Sequence, residues 1–333
     1  AVWNDYHPAR SVKFQDGILG RTPLVLARSS DNGKTWKGHL VLEDAPNHGY
    51  AYTAMLFDRG KLFLAYCCGG LDTCECMLQD MKIRSLSAEE CGRTFVKGNA
   101  EADLQCIREH LTGAKKEPWT WLFYGDSITH GAAHTCGWRS FPEIFGERVR
   151  WELRLTWDVV INTAISGNST AELTNPLQYE WLVRCRKPNV VMVLIGTNDI
   201  IKLDDIDLFR ENLTRLVRWI RIDGAIPILQ TYGTIQKIPE NRNYVKRLQE
   251  MPAYNDAIRK TAAAEDVILI DHDLVWQKEA ADPDVLAAWL GEPIHPGAKG
   301  HLEYGKEIFR KLDIFDPKCG CCNPVGVPFS IPP

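Results

Sequence analysis

Trp119-Thr120-Trp121-Leu122-Phe123-Tyr124-Gly125-Asp126-Ser127-Ile128-Thr129-His130-Gly131 is the stretch that decides the reading of the chain. Aromatic and apolar residues run almost unbroken to Tyr124, the pattern of a buried strand. Gly125 ends the run, and the side chains after it are small, polar and reactive. A strand that stops at Gly-Asp-Ser leaves a hydroxyl at the carboxyl edge of a sheet, where open α/β sheets hold ligands. In isolation Ser127 reads as a helix N-cap, a position that suits serine. As a nucleophile it needs a base, a group to orient that base, and donors for an oxyanion.

Three later stretches carry groups of those types. Residues 158–167 form a second apolar run, closing on Asn162-Thr163-Ala164-Ile165-Ser166-Gly167. Residues 189–199 form a third, closing on Gly196-Thr197-Asn198-Asp199. Near the C-terminus, Glu292-Pro293-Ile294-His295-Pro296 sets an acid three residues before a histidine. Further strand-like runs occupy 226–231 and 267–270. Helix-like segments at 141–151, 177–185, 208–222, 254–264 and 301–312 lie between and after the strands. Leu213, Leu216, Val217 and Ile220 share one helical face. This alternation predicts a parallel sheet in an α/β domain.

The blocks Gly125–Thr129, Asn162–Gly167, Gly196–Asp199 and Glu292–His295 resemble, in order and spacing, the four sequence blocks of the SGNH (GDSL-like) hydrolase family. The resemblance covers roughly residues 118–315. It implies a flavodoxin-like three-layer α/β/α domain and a serine esterase working without metal or organic cofactor. It nominates Ser127 as nucleophile and His295 as general base. It also nominates three oxyanion donors: the backbone N–H of Ser127, the backbone N–H of Gly167 and the side-chain amide of Asn198. His130, His134, His272 and His301 compete with His295, and the Glu-x-x-His-Pro setting selects the last. His130 falls near the pocket, and His272 reads as structural. Asp126 and Asp199 read as loop braces.

Glu292 is the orienting acid in this reading. The family usually has aspartate three residues before the histidine, so the extra methylene requires the carboxylate to fold back. If it does not reach, Asp282 or a backbone carbonyl orients His295 instead. The expected substrate is a short-chain, acetyl-type ester, including carbohydrate O-acetyl esters. The alternatives are a lipase- or thioesterase-type member of the family, a glycan-binding or sialidase-related protein, and an inactive scaffold.

Residues 1–86 have a different character. Short runs at 23–27, 50–57, 61–66 and 81–86 are rich in β-formers, with turn signals at Asp31-Asn32-Gly33 and Asp58-Arg59-Gly60 between them. They predict one small antiparallel sheet. Ser29-Ser30-Asp31-Asn32-Gly33-Lys34-Thr35-Trp36 is similar to the Asp box of sialidase β-propellers, and 1–86 resembles one or two blades of such a propeller. A propeller needs at least about four blades, so the resemblance implies a structural remnant that packs on the hydrolase domain, on another subunit or on upstream sequence. The first of these is the expectation here, with homo-oligomer contact through the β segment as another role. Ser87 with Glu90 fits a capping box for a helix ending near 112. Residues 87–117 are then helix and linker, and 316–333 an irregular Cys/Pro-rich tail.

Composition narrows the partners. A 45% hydrophobic fraction fits a globular protein, and a net charge of −4 implies no polyanion partner. No basic cluster interleaved with aromatics points to nucleic acid, and no apolar run approaches the roughly 20 residues of a membrane span. The chain begins at Ala1 with no signal-like segment, as a mature form, a trimmed form or part of a longer polypeptide would. Eleven cysteines cluster as Cys67-Cys68, Cys74-x-Cys76 and Cys319-Gly320-Cys321-Cys322. The last two groups could together ligate zinc, but neither has the usual two-residue spacing. Free or partly paired thiols are therefore the expectation.

Overall fold

The computed structural model describes residues 1–5, 21–29, 32–45, 48–58, 61–70, 76, 78–87, 91, 98–113, 117–131, 133–135 and 137–322. The expectations that rest on Asp31, Arg59-Gly60, Cys74, Glu90, Lys115-Lys116 and the tail beyond 322 lie outside these residues. The chain divides into two compact units, 1–96 and 97–333.

The first unit holds two antiparallel sheets where the sequence predicted one. Strands β1 (Val2–Asn4), β2 (Leu24–Arg28) and β3 (Lys37–Glu43) form the first, in that order. Strands β4 (His48–Asp58), β5 (Lys61–Gly70) and β6 (Asp80–Ser87) form the second. The chain changes sheets between β3 and β4. The Tyr50 amide donates to Arg21 O at 3.0 Å, and Asn4 Nδ2 donates to Tyr50 O at 3.1 Å, so β4 crosses the end of the first sheet without extending it. β3 carries Lys37-Gly38-His39 at its start, which hides it from a strand pattern. In β5, Leu62, Leu64 and Tyr66 alternate inward, the period-2 signature of a half-buried strand. In the Asp-box-like turn, Asn32 and Gly33 take φ of 60° and 82°. The Trp36 ring lies 3.5 Å from where a Gly33 Cβ would stand.

The second unit starts with α1 (Ala100–Thr112), capped by Asn99, whose side chain accepts from the Ala102 amide. Ile107 and Leu111 of α1 join the core, so this helix belongs to the second unit and is not a free connector. Its His110 stacks on Trp119 at 4.1 Å and meets Asp158 Oδ2 at 2.8 Å. Asp158 also accepts from Trp121 Nε1 and the Trp119 amide, which ties α1 to the amino ends of the two strands that follow. Burial pushes the Asp158 carboxyl up, but the His110, Trp121 and Trp119 hydrogen bonds outweigh it and hold the group below its usual range.

The parallel sheet is built from β7 (Thr120–Gly125), β8 (Val159–Asn162), β9 (Val190–Leu194), β10 (Ile226–Gln230) and β11 (Ile268–Ile270). Their order is β11-β10-β9-β7-β8. Counted from β7, this is the 2-1-3-4-5 flavodoxin-like order, and its switch point lies between β7 and β9. β9 is buried at every position, as expected for a central strand covered on both faces. The fold class is thus α/β with a five-stranded parallel sheet, plus small antiparallel sheets at the N-terminus.

The helices of this unit are α2 (Ser127–His130), α3 (Phe141–Glu147), α4 (Thr170–Leu173), α5 (Pro176–Leu182), α6 (Asp199–Lys202), α7 (Ile206–Ile222), α8 (Arg242–Glu265), α9 (His272–Glu279), α10 (Pro283–Trp289) and α11 (Ala298–Lys311). α3 packs with α11, and α7 with α8. Several of these differ from the sequence expectation. α8 begins twelve residues before 254 because it continues through Pro252, where proline normally argues for a break. α9 and α10 are short, and no helical periodicity singled them out. No helix among the described residues is long and apolar enough to cross a membrane.

Candidate active site

The four blocks reach one place because each follows the sheet's carboxyl edge or the loop that covers it. Gly125 ends β7 with no room for a side chain: a Cβ there would stand 2.3 Å from Leu194 O of β9 and 2.8 Å from Thr129 Oγ1. Asp126 then caps α2 by accepting from the Ile128 amide, and Ser127 is the first helical residue. Ser127 is thus not the N-cap, and its backbone N–H opens the helix, where no intrahelical acceptor exists.

Asp126 is fully buried and fastens the first block to the third. It accepts from Thr197 Oγ1 at 3.1 Å and from the Tyr232 hydroxyl. Burial raises its pKa to about 6, against the pull of the Tyr232, Ile128 and Thr197 hydrogen bonds. Asp199 is also buried and fastens the third block to the start of α4 just after the second, accepting from the Thr170 amide and hydroxyl. Burial likewise raises it to about 6.

Gly167 has φ +87°, with nothing within 4 Å of where a Cβ would be, so its backbone faces open space. Asn198 is held at both ends of its amide: Nδ2 donates to Asn168 O at 2.9 Å, and Oδ1 accepts from Arg247 Nη2 at 3.4 Å. One N–H of its NH₂ remains for another acceptor. Arg247 Nε also donates to Thr197 O at 3.0 Å, so α8 steadies this loop. His130 is bound through Nδ1 to the hydroxyl and amide of Ser166, the neighbour of Gly167. Asn162 Nδ2 donates to Thr129 O at 2.7 Å and stitches the first two blocks together.

His295 Nε2 lies 2.8 Å from Ser127 Oγ. The loop that carries it is a narrow one. Gly291 N donates to His295 O and Gly297 N to Trp289 O, both at 2.9 Å, and Leu290 bridges Pro296. Gly291 and Gly297 pass within 3.3 Å of each other counted from an added Cβ, so a larger residue at either would require the neighbour to give way by a few tenths of an ångström.

Glu292 Oε1 lies 2.8 Å from His295 Nδ1. The contact is off the line of a good N–H···O bond, and Nδ1 has no well-aligned acceptor. The same oxygen accepts a bond from His134 Nδ1, whose ring stacks on His295 with centroids 3.6 Å apart and planes 8° from parallel. Glu292 therefore serves two histidines. Asp282, the alternative orienting acid, is committed elsewhere: it caps α10, accepting from the Asp284 and Val285 amides. Burial chiefly, then the charges of His134 and Arg247, lower the His295 pKa to about 4, against the opposing pull of Glu292.

His134 is the residue the sequence did not single out. His272 and His301 are buried in the core, each lowered to about 3 by burial. His272 meets Gln230 Oε1 at 3.0 Å, and His301 accepts from the Phe141 amide at 3.3 Å.

A hydroxyl against a neutral imidazole, a carboxylate behind that ring, and neutral donors on neighbouring loops at a sheet switch point suit attack on a carbonyl carbon. The model of the GDSL-like Lipase/Acylhydrolase family matches residues 123–302, more than half of the chain and all four blocks. The chain belongs to the GDSL-like lipase/acylhydrolase family. The matched region is therefore a carboxylic ester hydrolase domain.

An acetylxylan esterase of Geobacillus stearothermophilus is 26% identical over 211 residues, which is 57% of this chain and 92% of that protein. An uncharacterized protein of Mycoplasma pneumoniae is 34% identical over 101 residues, 29% of this chain; the chain spans only 11% of that relative's length. Among solved structures, an acetylxylan esterase from G. stearothermophilus aligns with a TM-score of 0.48 at 20% identity, covering 58% of this chain and 94% of the other. LAE5, an alpha/beta hydrolase enzyme from the metagenome of Lake Arreo, aligns with a TM-score of 0.49 at 20% identity, covering 60% and 96%.

Proposed function

We propose that this family member is a serine esterase that removes short acyl groups, acetyl above all, from carbohydrate esters. The observation that carries the reading is the 2.8 Å contact between His295 Nε2 and Ser127 Oγ. In the mechanism, His295 takes the Ser127 proton as Oγ attacks the ester carbonyl. The oxyanion is met by the N–H groups of Ser127 and Gly167 and the free N–H of Asn198. His295 then gives its proton to the leaving alcohol, and later activates the water that frees Ser127. Glu292 and His134 hold the imidazole between them.

The carbohydrate part of the proposal has two supports: the acetylxylan esterase relative, and the Asp-box-like stretch at 29–36, which suggests that 1–86 derives from a glycosidase-type module. The test uses p-nitrophenyl esters of graded acyl length beside acetylated xylo-oligosaccharide. We expect kcat/KM to fall steeply beyond the shortest acyl groups and acetate to be released from the oligosaccharide. A rate that rises with chain length would make the enzyme a lipase-type member instead.

The pH profile follows from the His295 environment. The base works only when neutral, so kcat/KM of the free enzyme should stay level from neutral pH downward and fall about tenfold per pH unit below a pKa near 4. His134→Phe keeps a ring on His295 but removes the charge that lowers it, so the acid limb should move to higher pH. Glu292→Gln removes the opposing pull, so the limb should move lower. Each variant should also lose activity, on the order of tenfold for His134→Phe, since an orienting partner is lost. A single unshifted limb in both variants would remove His134 and Glu292 from the base's environment.

A further inference from the structure

Cys319, Cys321 and Cys322 take no part in the ester chemistry, yet they are gathered as a site would be. They lie past α11, Cys319 just before the turn Gly320–Cys322 and the other two within it, all buried against the core of the second unit. Their three Sγ atoms lie within 4.8 Å of one another, and Cys319 Sγ is 3.4 Å from Cys321 Sγ. A disulfide requires about 2.05 Å between sulfurs. Cys321 and Cys322 are neighbours in the chain, with Cα atoms about 3.8 Å apart, closer than a relaxed disulfide accepts. Thiolates about 2.3 Å from one tetrahedral ion stand roughly 3.8 Å from each other, which is the spacing class seen here.

A carboxylate is already fixed on the cluster. Glu152 Oε1 accepts from the Cys321 amide at 3.0 Å, and Oε2 accepts from Cys321 Sγ at 2.9 Å. Arg148 Nη1 donates to the same Oε2 at 2.9 Å, while its Nε and Nη2 grip Ile314 O at 2.9 and 2.7 Å. Arg148 and Glu152 are the two ends of a π-helical turn that follows α3. Such turns are rare and concentrate at functional sites. The chain thus widens a helix to present an acid to the Cys321 thiol of the cluster, and an arginine locks that acid while clamping the segment that delivers the cysteines.

We propose that Cys319, Cys321 and Cys322 bind one zinc ion as thiolates, with Glu152 supplying the oxygen donor nearest the fourth position. Three sulfur ligands with one oxygen suit Zn²⁺ better than the all-oxygen preferences of Mg²⁺ or Ca²⁺. On binding, three S–H protons pass to solvent and three Zn–S bonds form; no electrons are transferred. Three buried thiolates completed by the partly exposed Glu152 make a closed, structural site. It fastens the segment after α11 to the end of α3, which itself packs on α11. Cys76, from the other group weighed in the sequence, falls in the first unit, and the cluster is complete without it.

The test is Co²⁺ titration of the reduced, metal-free full chain. We expect one Co²⁺ per chain, with thiolate-to-cobalt charge-transfer absorption and the d–d bands of tetrahedral cobalt, displaced by added Zn²⁺. Cys322→Ser should lower the charge-transfer intensity in proportion to the thiolate lost. Glu152→Gln should retain thiolate absorption but weaken Zn²⁺ binding by about 10–100-fold. Cys185→Ser, on the exposed surface, should change nothing. The proposal is overturned if the reduced wild-type chain gives no charge-transfer band, or if the band survives at full intensity when all three cysteines are serine. These readouts are independent of esterase turnover.

Discussion

Ser127→Ala abolishes turnover of p-nitrophenyl acetate while leaving the protein folded. The expected loss is on the order of 10⁶-fold in kcat, the scale on which a serine hydrolase loses its nucleophile. Folding should survive because the Ser127 hydroxyl is no part of the cap that starts α2: Asp126 makes that bond to the Ile128 amide. Among the described residues, the hydrogen-bond partner of the Ser127 hydroxyl is His295 Nε2. The check is a paired measurement of initial rate and urea unfolding, with the unfolding free energy within about 0.5 kcal/mol of wild type.

Asn198→Ala should cost about 10²–10³ in kcat, or ~2.7–4 kcal/mol of transition-state stabilisation, with a much smaller change in KM. The argument is geometric. Asn198 is clamped through Asn168 O and Arg247, so its remaining N–H is aimed before substrate arrives. A donor that meets charge only as the carbonyl becomes tetrahedral strengthens in the transition state and not in the ground state, so its loss appears in kcat. Asn198→Asp should do no better than alanine, since a carboxylate in that place repels the oxyanion. A variant that raised KM alone would assign Asn198 to substrate binding instead.

How much of this was legible in the sequence depends on how local each signal is. The five strands of the parallel sheet were readable because each is an apolar run cut off by glycine or a polar pair, as at Tyr124-Gly125 and Ile195-Gly196. Ser127, Gly167, Asn198 and His295 could be nominated because they close those runs or sit in a fixed motif. The split of the N-terminal segment into two sheets was not readable, because it depends on Tyr50 pairing with Arg21 rather than with β3. The first half of α8 was hidden by Pro252, and α9 and α10 by their brevity.

His134 was hidden by distance. It is 158 positions from Glu292, and only the fold brings the two together. The same holds for Glu152 and Cys321, 169 positions later in a cysteine cluster whose spacing alone argued against a metal site. His110 and Asp158, buried together beneath the sheet, belong with these: nothing in either's local sequence marks the other. The local grammar of strand and break shows where chemistry can sit, whereas the groups that tune and brace it are chosen by tertiary contact.

The most direct test of the central claim is covalent labelling with a small organophosphate ester, followed by mass spectrometry of the digested protein. The account predicts one phosphoryl group on the peptide carrying Ser127, and loss of labelling in His295→Ala, because the hydroxyl is no longer activated. A label on any other residue, or labelling of Ser127 that proceeds unchanged without His295, would contradict it.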